Sequence, residues 1–552
     1  MQETTKHIEQ IKTLGTYEVF ISFVVFCLIC GIATLQLDTF IGDKTYPKWI
    51  CLYLLVFTCT CHLTYKVIKK ELFFSKQEML AFCLYMILIF YLWQRGANIE
   101  TTMSVASTLS LYLSFKKSSQ VIHKSINYAI IASSLFSIGY SLVMITNGES
   151  QIKGTYENSN ALCFLLVYSA IILQNKHSTY YIWKGLLALN ISAIISTSSR
   201  AGILAMILCF CCTLRKKLVY CIFLLGVVIC VVTNFKKESS LGRAFIYETT
   251  VSMLDTPKHI ILGYGHDGFR KYYMAHQANT LVKADISTRQ RADNIQHPLN
   301  DFLLLTINYG IIATILVVCI IGILLRHTKL EKWLQCYFCA TIIFCMFGYP
   351  FNYPITWVTF VYALAYTNRQ RGRQPLAWAI GTISIFSAII ISEVTFKRGR
   401  QFYSWNQAIR FSHFGMVEKA QKKYEQLEVK LADYPEFNYN YAYFLLKIGQ
   451  KKRALSLISL CNINNYDTQI LTGDIYSALG NYPLAIEHYS YAEQMCPNRF
   501  LPLFAKFQVY EKLKDKNRLR YLGTKILSKS IKVPSYKINN IKQQVKIKLT
   551  AL

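Results

Sequence analysis

The apolar residues of this 552-residue chain come in blocks separated by short polar stretches. The blocks run for about 14–25 residues, and the longer ones reach the roughly 17–25 that a helix needs to cross about 30 Å of hydrocarbon. Thirteen are recognisable, near residues 17–37, 49–66, 77–94, 101–115, 126–146, 160–174, 183–198, 201–214, 218–233, 301–325, 332–347, 353–367 and 377–395. The shortest, 101–115, 160–174 and 201–214, suit tilted or partly re-entrant segments. With 53% hydrophobic and 16% charged residues, the chain is too apolar for a soluble protein of this size. The expectation is an all-α, polytopic membrane bundle of about 12–13 spans. The first run, from Tyr17, is longer than a signal-peptide core and has no small-residue cleavage site after it, so it reads as a membrane anchor.

Sixteen of the eighteen cysteines, including Cys209, Cys211, Cys212, Cys336 and Cys339, lie inside apolar runs and read as small hydrophobes. No disulfide framework or polar CxxC zinc pattern is present. The net charge of +30 is accounted for by short loops between spans and by the tail, which has 25 basic against 11 acidic residues after residue 397. A basic tail suits an anionic membrane or glycolipid surface, and no nucleic-acid partner is expected.

Basic residues orient the spans. Short basic loops occur at Lys66–Lys76, Lys116–Lys124, Lys176, Arg215–Lys217, Arg326–Lys329 and Arg369–Arg373. With thirteen spans and a cytoplasmic N-terminus, all six fall on the cytoplasmic side. Residues 148–159, 196–201, 234–300 and everything after 397 then face outward. The expected domains are a membrane domain, 1–397, whose outward loop 234–300 carries site residues, and an extracytoplasmic domain, 398–552.

In that second domain a period appears. FGMVEKAQKKY, IGQKKRALSLI, LGNYPLAIEHY and LKDKNRLRYLG superimpose at Gly415, Gly449, Gly480 and Lys514, at spacings of 34, 31 and 34 residues. An alanine follows five residues later at Ala420, Ala454 and Ala485. This is the period of a two-helix repeat with a tight turn and a close helix contact, and it resembles the tetratricopeptide repeat. A soluble α-solenoid of this kind implies recognition or assembly, and a possible protein partner.

Four outward stretches carry unusual polar residues: GTYENSNALC with Asn158 and Asn160; STSSRAGILA with Arg200; GRAFIYETTVSMLDTPKHIILGYGHDGF with Arg243, Gly263, Gly265 and His266; and QHPLNDFLLLTINYGI with His297 and Asn300. Each alone has an ordinary explanation. Arg200 suits an interfacial arginine, the glycines a turn, and His297 a helix cap; Tyr156 and Phe302 read as packing residues. In their order they resemble the O-antigen ligase/polymerase superfamily of membrane glycosyl transferases over residues 150–325. That family's stretches become Gly154-x-x-x-Asn158-x-Asn160, Ser199-Arg200-x-Gly202, Arg243-x-x-x-Tyr247, Gly263-x-Gly265-x-x-Gly268-Phe269 and His297-x-x-Asn300. Two departures stand out. The histidine lies three residues before the asparagine, and Asn308 replaces the family's acidic residue.

The resemblance implies a polyprenyl-diphosphate-linked glycan as donor and a hydroxyl acceptor, a lipid A-core sugar or a protein side chain, among membrane lipids at a bacterial inner membrane with the repeat domain periplasmic. Arginine matches the diphosphate with planar, bidentate donors, which assigns Arg200 and Arg243 to the leaving group. His297, with an ordinary pKa of ~6.5, is the candidate base for an inverting displacement, with His266 the runner-up. Asn158, Asn160, Gly263, Gly265, His266 and Asn300 are candidate substrate-binding residues. Arg289 and Arg291 are possible helpers or plain loop charges. Neither metal nor cofactor is expected, because the outer loops lack dense carboxylate clusters. The preferred activity is an O-antigen ligase. Polymerase action and protein O-oligosaccharyl transfer share the donor; a transporter or a membrane scaffold is the non-enzymatic alternative.

Overall fold

The computed structural model describes residues 2–37, 46–68, 75–116, 118–149, 151–175, 181–213, 237–326, 330–369 and 377–551. The ninth expected apolar run, 218–233, and the basic loops at Lys176 and Arg215–Lys217 lie outside these. Among the described residues the regular structure is helical throughout. Two compact units separate: Met1–Phe235 with Leu299–Phe402, and Lys236–Pro298 with Tyr403–Leu552.

In the first unit the apolar blocks form α1 (Gln2–Thr34), α2 (Tyr46–Ile68), α3 (Lys76–Gln94), α4 (Ile99–Lys116), α5 (Gln120–Thr146), α6 (Ser159–Asn175), α7 (Tyr181–Ser196) and α8 (Arg200–Thr213). After the long insertion come Asp301–Leu325, Lys332–Phe347, Pro354–Thr367 and the start of Ala377–His413. Twelve of the thirteen expected runs are thus helical. Thr16–Thr34, Lys76–Gln94, Gln120–Thr146 and Asp301–Leu325 are long and apolar enough to cross a membrane; Ser159–Asn175, Tyr181–Ser196, Arg200–Cys209 and Lys332–Phe347 are apolar but shorter. Outer helices expose Phe20, Phe23, Phe90 and Leu142, as lipid-facing positions require.

One short helix is the core. Every residue of α6 from Ala161 to Leu173 is buried. It packs against α5, α7, α8 and Lys332–Phe347. A helix apolar on all faces can only be central, so its length is set by its neighbours. Charges are buried here, which the hydropathy pattern did not show, but at helix ends. Glu78, in the first turn of α3, accepts from Lys116 at 2.5 Å and from Tyr112 at 2.8 Å. Lys116 is the last residue of α4, so the pair lies at a terminus instead of mid-span.

The second unit combines the tail with the segment read from the sequence as an outward loop. That segment forms α9 (Lys237–Ser252), α10 (Pro257–Leu262), α11 (Gly268–Val282) and α12 (Ile286–Arg291). The tail forms the paired helices Val417–Leu427, Pro435–Lys447 with Lys451–Leu460, Tyr466–Leu479 with Tyr482–Met495, Leu501–Lys512 with Lys516–Ser528, and a last helix, Tyr536–Thr550. The four superimposed turn positions share one conformation: φ is 72° at Gly415, 82° at Gly449, 83° at Gly480 and 55° at Lys514. Ala420, Ala454 and Ala485 are fully buried, and Leu519 takes the equivalent place in the fourth copy.

Helix α11 lies against Tyr482–Met495. The buried Gln277 donates to Met495 O at 2.7 Å and to Asp293 O at 2.9 Å. Asn294 bonds Asp467, Arg499 pairs with Asp293 at 2.6 Å, and Arg270 pairs with Glu436. The loop and the repeats thus pack into one body.

Candidate active site

In the membrane unit the polar stretches meet at one end. Asn158 caps α6 through Ala161 N (2.9 Å), and its amide donates to Tyr349 OH (2.6 Å) and Tyr353 OH (3.2 Å). Asn160 accepts from Ser199 Oγ at 2.5 Å, and Ser199 in turn caps α8 through Gly202 N at 3.1 Å. Gly202 is required by packing: a Cβ there would stand 2.8 Å from Cys163 Sγ on α6. Asn300 caps Asp301–Leu325 and donates to Met346 O at 3.2 Å; Asp301 accepts from Phe351 N at 3.2 Å. The three asparagines thus shape helix starts, and the first two stretches touch directly.

Arg200, half-buried, is the first residue of α8. Beneath the first stretch, the buried Lys48 donates to Thr155 O at 2.6 Å and lies 3.8 Å from the centre of the Tyr156 ring. Helices α2, α6, α8, Asp301–Leu325 and Pro354–Thr367 all begin at this end. Each N-terminus presents roughly half a positive charge. Lys48 and Arg200 add positive charge at this end, Glu157 and Asp301 add negative charge, and the helix starts among them are of the kind that can hold phosphate.

The backbone marks the same stretches. Among the described residues four non-glycine residues have positive φ: Ser198, Asp267, Leu299 and Lys514. Lys514 belongs to a repeat turn. The other three stand beside Arg200, beside His266 and two residues after His297. The first stretch has Gly154 at φ 58°. Left-handed conformation costs an L-residue about 1–2 kcal/mol, and such strain gathers where function fixes geometry.

The second unit holds the other candidates. Arg243 is half-buried on α9, which is anchored where Phe245 packs with Leu281 and Ala292. The turn after α10 places Gly263 at φ 68° and Gly265 at φ 91°, conformations that favour glycine. It leads through Asp267, left-handed at φ 56°, into α11. His266 Nε2 is 3.6 Å from Asp267 Oδ2. Burial lowers the His266 pKa, and Asp267 opposes that.

His297 is half-buried beside the same turn. Burial and then the Arg270 guanidinium push its pKa down to about 4, against the pull of Asp267. The imidazole is therefore neutral at pH 7. Arg270 is 3.7 Å from Asp267, 3.4 Å from Gln296 Oε1 and paired with Glu436. Arg289 and Arg291 are engaged internally. Arg289 donates to Leu281 O and Val282 O at the end of α11, and Arg291 bonds Glu238 Oε2 at 2.7 Å.

The sequence reading missed Lys48, Tyr349, Tyr353, Asp267 and Arg270. A signal existed for the tyrosines: FGYPFNYP is a polar, proline-broken interruption between two apolar runs. Asp267 and Arg270 flank the glycine-rich turn. For Lys48, one basic residue among sixty, the chain carries no distinguishing signal.

Residues 185–318 match the family model described as O-antigen ligase, and residues 402–460 match that of YpiA-like C-terminal tetratricopeptide repeats. Over those residues the chain is similar to O-antigen ligases and to tetratricopeptide-repeat proteins. A comparison with curated proteins gave no match. Among solved structures, yeast Tom70 aligns at 8% identity and a TM-score of 0.25, covering 84% of this chain and 95% of that one. The APC/C hetero-tetramer Cut9–Hcn1 aligns at 13% identity and a TM-score of 0.24, covering 92% of each.

Proposed function

We propose that this chain moves an assembled glycan from a polyprenyl-diphosphate carrier to a sugar hydroxyl of a lipid A-core acceptor on the outer face of a bacterial inner membrane. The observation that carries the reading is that one family match, 185–318, contains Arg200, Arg243 and His297 in order. The helix starts gathered with Arg200 and Lys48 at one end of the membrane unit support it, because a diphosphate concentrates negative charge at the lipid surface.

The acceptor oxygen attacks the anomeric carbon as the bond from that carbon to the diphosphate oxygen breaks. The acceptor proton passes to His297, and the anomeric centre inverts. Arg200 and Arg243 stabilise the departing diphosphate. Asn158, Asn160 and Asn300 fix helix starts in the membrane unit, and Gly263, Gly265 and His266 set the turn beside His297. With a pKa near 4, His297 is a weak base in the free protein. Burial is the main cause, so His297 is neutral at pH 7 and able to accept the acceptor proton.

The test is complementation of a deletion strain with His297→Ala, Arg200→Ala and Arg243→Ala at matched membrane levels. The expected result is loss of lipid A-linked polymer, with long chains accumulating on the carrier. Single repeat units left on the carrier would instead mean polymerase action, and loss of glycoproteins alone would mean protein transfer. Full transfer by the histidine and arginine variants would refute the site.

A further inference from the structure

Loop and repeats enclose a cleft that the reaction above does not use. It has a volume of about 310 Å³ and lies between α11 and the second and third repeats. Its walls include Lys271 and Tyr272 from the loop, and Ser459, Asn462, Asn464 and Gln469 from the repeats. We infer that this cleft is a saccharide subsite, which rests on the transfer reading and adds to it where the glycan is held.

Three features point to a sugar. First, the walls are nearly uncharged in a chain of net charge +30. Lys271 is the one charged lining group among the described residues, and its ammonium donates to His266 O at 2.9 Å. An anionic ligand such as a phosphate would be poorly matched here. Second, the polar groups are amides and hydroxyls, which donate and accept as sugar hydroxyls do. They are also pre-oriented. His488 Nδ1 pairs with Gln469 Oε1 at 2.6 Å, and Gln469 Nε2 donates to Asn464 Oδ1 at 2.8 Å. That relay leaves Asn464 Nδ2 as a donor toward a ligand. Third, the cleft has an aromatic wall. Tyr272 is 45% exposed, and its ring sits 5.0 Å from that of Tyr264, which stacks on His259 at 4.0 Å. A buttressed, half-open tyrosine offers the flat face on which a sugar's C–H surface packs. Ile458, Cys461 and Ile463 add apolar lining, against which the C–H faces of a sugar also pack.

The position fits. Lys271, which lines the cleft, donates to His266 O at 2.9 Å and so ties its wall to the glycine-rich turn beside His297.

The glycan has two possible sources, the donor chain or the acceptor core. Both are tested on the full-length protein in nanodiscs by saturation-transfer NMR. One probe is the oligosaccharide released by mild acid from the carrier lipid of a deletion strain; the other is the delipidated core oligosaccharide of that strain. Binding of the first alone assigns the cleft to the donor, and of the second alone to the acceptor. In either case Tyr272→Ala and Gln469→Leu weaken binding at least about tenfold, and Tyr272→Phe retains it. Tyr272 is exposed, so its truncation leaves the fold intact. Binding of neither probe, unchanged binding by both variants, or displacement only by an unglycosylated Ser/Thr-rich peptide overturns the inference. If His297→Ala still transfers glycan while Tyr272→Ala loses binding, the reaction assignment fails and the cleft stands. If His297→Ala abolishes transfer while the cleft variants bind normally, only the cleft fails.

Discussion

Replacing Gln277 with alanine should loosen the loop from the repeats more than any substitution of a visible ion pair there. Gln277 is fully buried and supplies the hydrogen bonds to Met495 O and Asp293 O. Truncation strips a donor from two carbonyls, at about 1–2 kcal/mol each, and leaves a cavity worth about 1–2 kcal/mol more. The sum is about 3–6 kcal/mol. At 1.4 kcal/mol per decade, local opening rises at least about 100-fold. The Arg499–Asp293 pair looks stronger at 2.6 Å, but its side chains are 42% and 46% exposed. Such pairs are worth about 0–1 kcal/mol, so Arg499→Ala should change opening less than about fivefold. The assay is hydrogen exchange by mass spectrometry on the full chain in nanodiscs, following amides 284–298 and 496–500, with α6 as internal control. Gln277→Met keeps the volume and loses only the hydrogen bonds, so it should fall between the two. Exchange in Gln277→Ala within about fivefold of wild type would refute the account of how the loop is held.

His297 is neutral in the fold with a pKa of about 4, whereas the unfolded chain titrates near 6.5. Its stability contribution is therefore complete above about pH 6.5 and is lost as pH falls toward 4, by at most about 3 kcal/mol. Thermal melts at pH 7 and pH 5 should show a smaller drop for His297→Gln than for wild type. Gly202→Ala should destabilise the membrane unit by about 1–3 kcal/mol through its 2.8 Å approach to Cys163 Sγ, and Cys163→Ala should recover part of the loss in the double variant, measured by thermal denaturation in detergent. Lys514→Gly should raise the melting temperature slightly, by about 0.5–1 kcal/mol of stability, because Lys514 holds a left-handed φ of 55° that its three counterparts assign to glycine.

The membrane helices were legible because block length is a local property that hydrocarbon thickness imposes. Repeat turns were legible for a similar reason: a left-handed residue and a buried alanine recur at fixed spacing. The grouping of residues 236–298 with the tail was not legible. It depends on contacts such as Gln277 with Met495 and Arg270 with Glu436, which join distant positions and leave no periodic trace. The glycine-rich turn announced itself, but Arg270, which adds to burial in holding His297 neutral, reads in sequence as one more basic residue. The strain at Ser198 and Leu299 was equally silent, since neither residue type signals positive φ. Buried charges at Glu78, Lys116 and Lys48 escaped because hydropathy averages over single residues near helix ends.

The bond between Gln277 and Met495 spans 218 positions in the chain. At about 5–20 residues per second, roughly 10–40 s of synthesis separate the two partners. During that interval four more apolar helices must be made and inserted before the second partner exists. The segment bearing Arg243 and His297 thus waits without its packing partner and reaches its working shape only near the end of translation. Premature stops that spare every membrane helix should still yield an inactive protein.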